Sequence, residues 1–221
     1  MINININKNS NQSGRSMIEM LGVLAIVGVL SVGGIAGYSK AMEKFKINKS
    51  IDQISQIVTN IRTLYAQQST YYGLNNLTAV QMGTIPDELG SSENLTNPFK
   101  GKVYIMSSDA SYTSQYGKVF AVQYRGLSKQ ACLSLGTTDW GSSYSSGFIG
   151  ISVDQMSGEN QMVIDLLKNN QCKGSSSNNL LIGCSNKSAD ITTPLSVSSV
   201  AGICSVCDET GKDCNITIAY Q

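Results

Sequence analysis

The segment RSMIEMLGVLAIVGVLSVGGIAGYS occupies residues 15–39. From Met20 to Ser39 the chain carries no charged residue, over a run of 20 residues. At about 1.5 Å per residue, a helix of that length spans roughly 30 Å, which is the thickness of the hydrocarbon core of a bilayer. The run therefore predicts a transmembrane helix.

The helix is expected to continue beyond the apolar run. In the next segment, apolar residues recur every three or four positions, which is the spacing of one stripe along an α-helix. They are Ile47, Ile51, Ile54, Val58, Ile61 and Tyr65. No proline precedes Pro86, so nothing forces a break. We predict one helix from about Ser16 to Gln68, apolar on all sides in its first half and one-sided in its second.

After Gly73 the sequence becomes typical of strands and loops. Short apolar runs predict strands at 103–106, 119–124, 148–153, 162–166, 180–182 and 215–220. A short helix or turn is expected at 77–82, a helix after an N-cap at Ser128, and another with Pro194 in its first turn. The predicted fold class is α+β, with the long helix packed on an antiparallel sheet.

The composition argues against several functions. The formal net charge is +1 and charged residues make up 14% of the chain, which gives no support for a nucleic-acid surface. The chain has no histidine, which excludes Ser-His-Asp and Cys-His nucleophiles and the common histidine metal ligands. The acidic pairs Asp87-Glu88 and Asp208-Glu209 fall in predicted turns and are interpreted as solvated loop charge. No enzymatic activity, cofactor or metal site is predicted.

All cysteines lie in the C-terminal half, and their number is even. An even set in a Gly/Ser/Asn-rich region predicts a disulfide framework formed in an oxidising compartment. The candidates are Cys132, Cys172, Cys184, Cys204, Cys207 and Cys214. The alternatives are reduced cysteines, or a redox pair or half a zinc site at the CxxC segment 204–207, and they are less favoured in an exported chain without histidine.

Glu19 is the informative residue of the N-terminal region. It borders a run that excludes charge, and a carboxylate left alone in lipid is unfavourable by a few kcal/mol. Residues 1–14 are polar and lack the apolar core of an ordinary secretory signal peptide. If the chain is cut after Gly14, Arg15 gains an α-ammonium group. That group can pair with Glu19 of a neighbouring subunit inside a low-dielectric helix bundle, which sets the axial register.

The segment Gly14-Arg15-Ser16-Met17-Ile18-Glu19, followed by the apolar run, resembles the class III signal of type IV prepilins. In that family a prepilin peptidase cuts after the glycine and methylates the new N-terminal amine, and the glutamate guides assembly. The resemblance implies cleavage between Gly14 and Arg15, N-methylation of Arg15 and an assembly role for Glu19. Arg15 stands where the family usually has a large apolar residue.

The later sequence resembles type IVb major pilins such as bundlin. The matching segments are Ile85-Pro86-Asp87, Thr96-Asn97-Pro98-Phe99, Ala131-Cys132-Leu133-Ser134-Leu135 and a cysteine-containing segment before a last strand, residues 204–220. The resemblance implies the type IV pilin fold and a disulfide from Cys132 to Cys204 or Cys207. A Cys172–Cys184 pair is suggested only by proximity in sequence.

The expected organisation has three parts: a leader at 1–14, a transmembrane and assembly half of the helix at 15–39, and a soluble headgroup at 40–221. Within the headgroup, 40–68 is the amphipathic helix half and 69–221 the α+β domain. Lysines 40, 44, 46 and 49 follow the span, whereas Lys8 and Arg15 precede it. Charge bias alone predicts the opposite orientation. The cysteines and the prepilin signal outweigh it.

We expect a structural subunit of a type IVb pilus that forms a helical homo-oligomer for adhesion, aggregation or conjugative contact. The expected sites are the bacterial inner membrane for the precursor and an extracellular pilus afterwards. The expected partners are the prepilin peptidase and the pilus assembly machinery, with no nucleic acid. A minor pilin or a type II secretion pseudopilin is the alternative. A membrane-anchored periplasmic enzyme is a third reading, which predicts no cleavage at Gly14 and no dependence on Glu19.

Overall fold

The computed structural model describes residues 17–91, 93–107, 117–141, 146–154, 180–182, 194–207 and 214–221. Gly14, Arg15, Cys172, Cys184 and the strand expected at 162–166 lie outside the described residues. The chain divides into two compact units, Met1–Glu43 and Lys44–Gln221. The second unit is called the headgroup below.

The first helix, α1, runs from Met17 to Leu64 over 48 residues. In its N-terminal part every side chain from residue 17 to residue 41 is exposed. Within the headgroup the helix buries one stripe against the core: Ile47, Ser50, Gln53, Ile54, Ile57, Val58 and Ile61. Ile51 and Tyr65 pack against the same core while partly exposed. The predicted change from an apolar half to a one-sided half is confirmed.

The predicted end of the helix at Gln68 is wrong, because α1 stops at Leu64. Tyr65 begins a turn in which its carbonyl accepts a hydrogen bond from the amide of Gln68 at 2.8 Å. The rings of Tyr65 and Tyr71 lie 5.2 Å apart, so the chain folds back within six residues. The helix therefore ends at the point where the returning chain packs against it, through the contact of Tyr71 with Tyr65.

Besides its part of α1 and two 3-10 turns, Asp87–Leu89 and Cys204–Val206, the described part of the headgroup contains three short α-helices and six strands. They are α2 (Asn76–Gln81), β1 (Leu95–Thr96), β2 (Lys102–Ser107), β3 (Phe120–Leu127), α3 (Lys129–Thr137), β4 (Phe148–Asp154), β5 (Leu180–Ile182), α4 (Val197–Ile203) and β6 (Cys214–Tyr220). Ser128 caps α3 as predicted, its side chain accepting from the amide of Ala131. The expectation for Pro194 is wrong: α4 starts later, because Ser196 accepts from the amide of Ser199 and is the N-cap.

The strands form one antiparallel sheet in the order β1-β2-β3-β6-β4-β5. The C-terminal strand is therefore central, with Ile218 opposite Val122 of β3 on one side and Ile151 of β4 on the other. Alternate side chains of these strands, such as Val122, Ile151 and Ile218, form the face towards α1. The residues between them are also buried, since Ala121 and Ala219 belong to a second, smaller cluster. The α+β class with a helix packed on an antiparallel sheet is confirmed.

The main core lies between α1 and the face of the sheet that points towards this helix. Its largest fully buried side chains include Ile54, Ile57 and Ile61 from α1 and Tyr124 and Phe120 from β3. Tyr124 is polar at one end, and its hydroxyl lies 3.4 Å from Oε1 of Gln53 in α1. Burial raises the pKa of Tyr124 because the phenolate would lose its hydration. The core thus keeps this tyrosine neutral.

Candidate functional site: the N-terminal helix

Glu19 lies in the first turn of α1 and its side chain is exposed. Among the residues that the structure describes, no lysine or arginine forms an ion pair with it. The next acidic residue along the helix is Glu43, so a single carboxylate stands at the start of an apolar surface. Within the described residues, that charge is therefore not neutralised by an ion pair.

The surface that follows Glu19 is apolar on every side of the helix. Its large side chains are strongly exposed, from Ile18 (77%) through Leu30 (68%) to Tyr38 (66%). Among the described residues, α1 is the one helix long and apolar enough to cross a membrane. A surface of this kind marks contact with lipid or with other proteins.

Ser31 and Ser39, the two serines in this half of α1, satisfy their hydrogen bonds within the helix. The hydroxyl of Ser31 donates to the carbonyl of Val27 at 2.7 Å, and that of Ser39 donates to the carbonyl of Ile35 at 3.0 Å. Bonding to the carbonyl four residues back removes the need for water. The helix can therefore enter an environment that offers no hydrogen-bond partners.

Five glycines interrupt the apolar surface without interrupting the helix: Gly22, Gly28, Gly33, Gly34 and Gly37. A Cβ added at any of them would meet nothing within 4 Å. Within the described residues, the fold of the single subunit thus gives no reason for glycine at these positions. Two readings are compatible with this: close approach of neighbouring helices, and local unwinding as subunits pack.

The described cysteines form two disulfides, which confirms the prediction that the chain contains them. Cys132 in α3 is bonded to Cys204 after α4, and Cys207 is bonded to Cys214 at the start of β6. The first bond is one of the two pairings that the resemblance implied. The sulfurs of Cys132, Cys204 and Cys207 lie within 4.8 Å of one another, but in disulfides they are not the thiolates that zinc requires.

The structure also shows a cluster that the sequence analysis noted only as charge bias. Nζ of Lys46 in α1 lies 5.7 Å from the ring centroid of Phe99, in the turn between β1 and β2. Lys49 forms a salt bridge of 2.9 Å with Glu88. The sequence signal was present in the lysines that follow the apolar run, but it did not indicate that a distant turn lies beside them.

The chain is similar to known pilus proteins. A family model described as Bundlin matches residues 39–166. The major structural subunit of bundle-forming pilus from Escherichia coli O127:H6 is 29% identical over 153 residues, which cover 68% of this chain and 75% of that protein. The toxin coregulated pilin of Vibrio cholerae is 28% identical over 141 residues, which cover 59% of each.

A solved structure also resembles this one. The crystal structure of TcpA, a type IV pilin from Vibrio cholerae El Tor biotype, covers 80% of this chain with 99% of its own length. The TM-score is 0.47 and the sequence identity is 17%.

A helix that is apolar on all sides in one half, and packs one face on an antiparallel sheet in the other, characterises the type IV pilins. The family match extends over more than half of the sequence. The chain belongs to the Bundlin family, and is therefore a type IVb pilin. This is a family of structural subunits and not of enzymes, which confirms that prediction. As a pilus subunit, the protein is part of a surface fibre built from many copies.

Proposed function

We propose that the chain is made as an inner-membrane precursor, cut between Gly14 and Arg15, methylated on Arg15, and assembled through α1 into a type IVb pilus. One observation carries the proposal: Glu19 is the single carboxylate at the start of a helix half whose apolar side chains are all exposed. The proposed partners are a prepilin peptidase, the pilus assembly machinery and other copies of the chain.

The apolar surface requires two successive environments. Water is unfavourable for it, because each Å² of apolar surface left exposed forgoes about 25 cal/mol. A bilayer covers it before assembly, and neighbouring helices cover it in the fibre. Because lipid tails and apolar side chains are similar surroundings, transfer between them changes the hydrophobic free energy little. More specific contacts must therefore make the fibre more favourable than the bilayer.

Glu19 provides such a contact. Its carboxylate is unfavourable in lipid and gains most from a positive charge in a low-dielectric bundle. Cleavage after Gly14 creates an α-ammonium group on Arg15, and a methyl group on that nitrogen leaves its positive charge in place. Pairing with the amine of a neighbouring subunit would favour the fibre over the bilayer. It would also fix the axial offset between subunits.

The first experiment measures the intact mass of subunits from sheared, purified fibres. We expect a chain that begins at Arg15 and carries one added methyl group. A Gly14→Leu variant, in which the residue before the cut is bulky, is expected to accumulate in the membrane with residues 1–14 attached. Fibres built from subunits that retain residues 1–14 would show that the proposed processing is wrong.

The second experiment tests the charge. Glu19→Gln keeps the shape of the side chain and removes its negative charge. We expect the membrane fraction to hold normal amounts of subunit, while the fibre yield falls by about tenfold or more, because the pair contributes in a low-dielectric environment. Asp52→Asn is the matched control, an exposed acidic residue on the same helix. Equal fibre yields for the two variants would contradict the pairing.

The named relatives support the role of a major subunit. One is described as the major structural subunit of bundle-forming pilus. Adhesion, aggregation or conjugative contact are the functions that we propose for such a fibre. A minor pilin or a secretion pseudopilin would share the N-terminal helix. Quantitative mass spectrometry of purified fibres separates these cases, since we expect this chain to be their most abundant protein.

A further inference from the structure

The headgroup begins with a basic segment. Lys44, Lys46 and Lys49 lie in its first six residues and directly follow the apolar run in sequence. The side chain of Lys46 lies over the ring of Phe99, at 5.7 Å. Contact with Phe99 brings the segment to the turn that carries Lys100, with Lys102 two residues further on. These four residues, Lys44, Lys46, Lys100 and Lys102, are called the basic end.

The turn beneath the basic end is held firmly by Asn97, which is buried. Its Oδ1 accepts from the amides of Phe99 at 2.9 Å and Gly101 at 3.1 Å, and its Nδ2 donates to the carbonyl of Arg125 at 2.7 Å. Lys100 has a φ of 69°, which is rare for a residue with a side chain. The position of Lys100 is therefore built into the fold and is not that of a free loop.

Lysines outnumber acidic residues around the basic end. The two segments that form it, 44–49 and 99–102, carry five lysines and no acidic residue, while Glu43 directly precedes Lys44. Glu88 pairs with Lys49 at 2.9 Å. Lys44, Lys100 and Lys102 are exposed, so their charges face outwards. A group in which positive charges outnumber negative ones is suited to an anionic partner.

An exposed aromatic residue accompanies these charges. Phe45 stands between Lys44 and Lys46, and 57% of its surface is exposed. Nζ of Lys49 lies 6.0 Å from its ring centroid. Basic and aromatic side chains together, next to an apolar span, are typical of the boundary between lipid and water. An exposed phenylalanine is unfavourable in water but favourable at that boundary.

We propose that the basic end binds the phosphate groups of anionic phospholipids in the bilayer that holds the precursor. This inference rests on the proposed membrane-held precursor. Lysine stems extend along the interface and place their ammonium groups among the headgroup phosphates. The interaction gives a use to lysines that charge bias would place on the other side of the membrane. It would hold the headgroup against the surface until the subunit leaves.

The experiment measures lipid selectivity around the full chain in bilayers of phosphatidylcholine. Trace spin-labelled phosphatidylglycerol or phosphatidylcholine is added, and electron paramagnetic resonance gives the fraction of label immobilised by the protein. Each lysine near an anionic surface is worth up to about fivefold in association. We expect the association constant for phosphatidylglycerol to exceed that for phosphatidylcholine by about threefold or more in 0.1 M salt. Most of this preference should disappear in 1 M salt.

The double variant Lys46→Gln/Lys100→Gln isolates the basic end from the other cations of the chain. We expect it to lower the selectivity ratio by about twofold or more. The matched control is Lys118→Gln/Lys129→Gln, which removes two exposed lysines elsewhere in the headgroup and should leave the ratio unchanged. Immobilised phosphatidylcholine should be equal in all three proteins, which shows that each is inserted.

The possible failures are distinguishable. If the label on phosphatidylcholine is immobilised but the double variant keeps the wild-type ratio, the basic end does not bind lipid and the inference is wrong, although the membrane-held precursor stands. If neither label is immobilised, the chain is not inserted and both proposals are wrong. If the double variant lowers the fibre yield without changing the ratio, the partner is a neighbouring subunit and the inference is again wrong.

Discussion

Gly136 of α3 lies so close to Val200 of α4 that a Cβ at position 136 would stand 2.6 Å from Cγ1 of Val200. One helical turn away, Cys132 is bonded to Cys204. Positions 132 and 136 therefore face 204 and 200, and the two helices pack antiparallel at a distance that only a glycine allows. The disulfide and the glycine act together on one contact.

Replacing Gly136 by alanine should destabilise the headgroup. The added Cβ must separate α3 from α4, and overpacking of this kind typically reduces the free energy of unfolding by about 1–3 kcal/mol. The measurement is chemical denaturation of the full chain in detergent. Gly202→Ala in α4 is the matched control, because a Cβ there meets nothing within 4 Å, and it is expected to be neutral or slightly stabilising.

Adding Val200→Ala to Gly136→Ala should recover part of the loss, because the smaller side chain makes room for the new Cβ. The double-mutant cycle therefore gives a favourable coupling between the two positions. Additive effects would mean that Gly136 is needed for another reason.

The two described disulfides should differ in their contributions to stability. Cys132–Cys204 closes a loop with a sequence separation of 72, and Cys207–Cys214 one of 7. In the chain-entropy model, loops of these lengths correspond to about 4 and about 2 kcal/mol. The double variant Cys132→Ser/Cys204→Ser should therefore have the lower denaturation midpoint, and Cys207→Ser/Cys214→Ser the higher one. The reverse ranking would contradict the entropic account.

Stability should fall in alkaline solution because of buried tyrosines. Burial raises the pKa of Tyr124 and of Tyr220, while the same side chains in the unfolded chain ionise near pH 10. The unfolded state then binds fewer protons than the folded state, so the free energy of unfolding decreases as pH rises. Each tyrosine contributes a slope of about 1.4 kcal/mol per pH unit above pH 10.

The variant Tyr124→Phe/Tyr220→Phe should flatten this decrease between pH 10 and pH 11.5, measured by denaturation at each pH. Between pH 7 and pH 9, where an unfolded tyrosine is still protonated, the variant should show no difference in slope from the wild type. An unchanged slope above pH 10 would mean that these two side chains ionise in the folded protein.

Asn97 should be needed for the turn between β1 and β2. Its side chain makes three hydrogen bonds to backbone groups and is 5% exposed, so alanine would leave buried donors and an acceptor unpaired. We expect Asn97→Ala to reduce the free energy of unfolding by about 3 kcal/mol. Asn48→Ala, at an exposed position of α1, should change it by less than about 0.5 kcal/mol. Thermal melting of both variants in parallel makes the comparison.

Much of the fold follows from spacing along the chain. The apolar run to Ser39 and the stripe from Ile47 to Ile61 predict α1 correctly, because helix periodicity is a local property. Strands β2 to β6 were also predicted from local patterns. The prediction failed at the helix end, since Tyr65 leaves the helix to meet Tyr71, a partner that no periodicity reveals.

The proposed functional residues divide in the same way. A carboxylate beside an apolar run is visible in any reading of the sequence, and so Glu19 was found from residues alone. The basic end was not, because Lys46 and Lys100 are more than fifty residues apart and only the packing of Phe99 against Lys46 shows their proximity.

Local patterns in the chain were enough to predict one long helix with an apolar and a one-sided half, a sheet that covers the second half, and cysteines suited to an oxidising compartment. The folded structure was needed to show that β6 is the central strand, that Cys132 pairs with Cys204 and not with Cys207, and that Asn97 holds the turn beside Lys46. The difference lies in the range over which the interactions act. Hydrophobic periodicity acts between neighbouring residues, whereas strand order and disulfide pairing depend on distances between segments that meet only when the chain is folded.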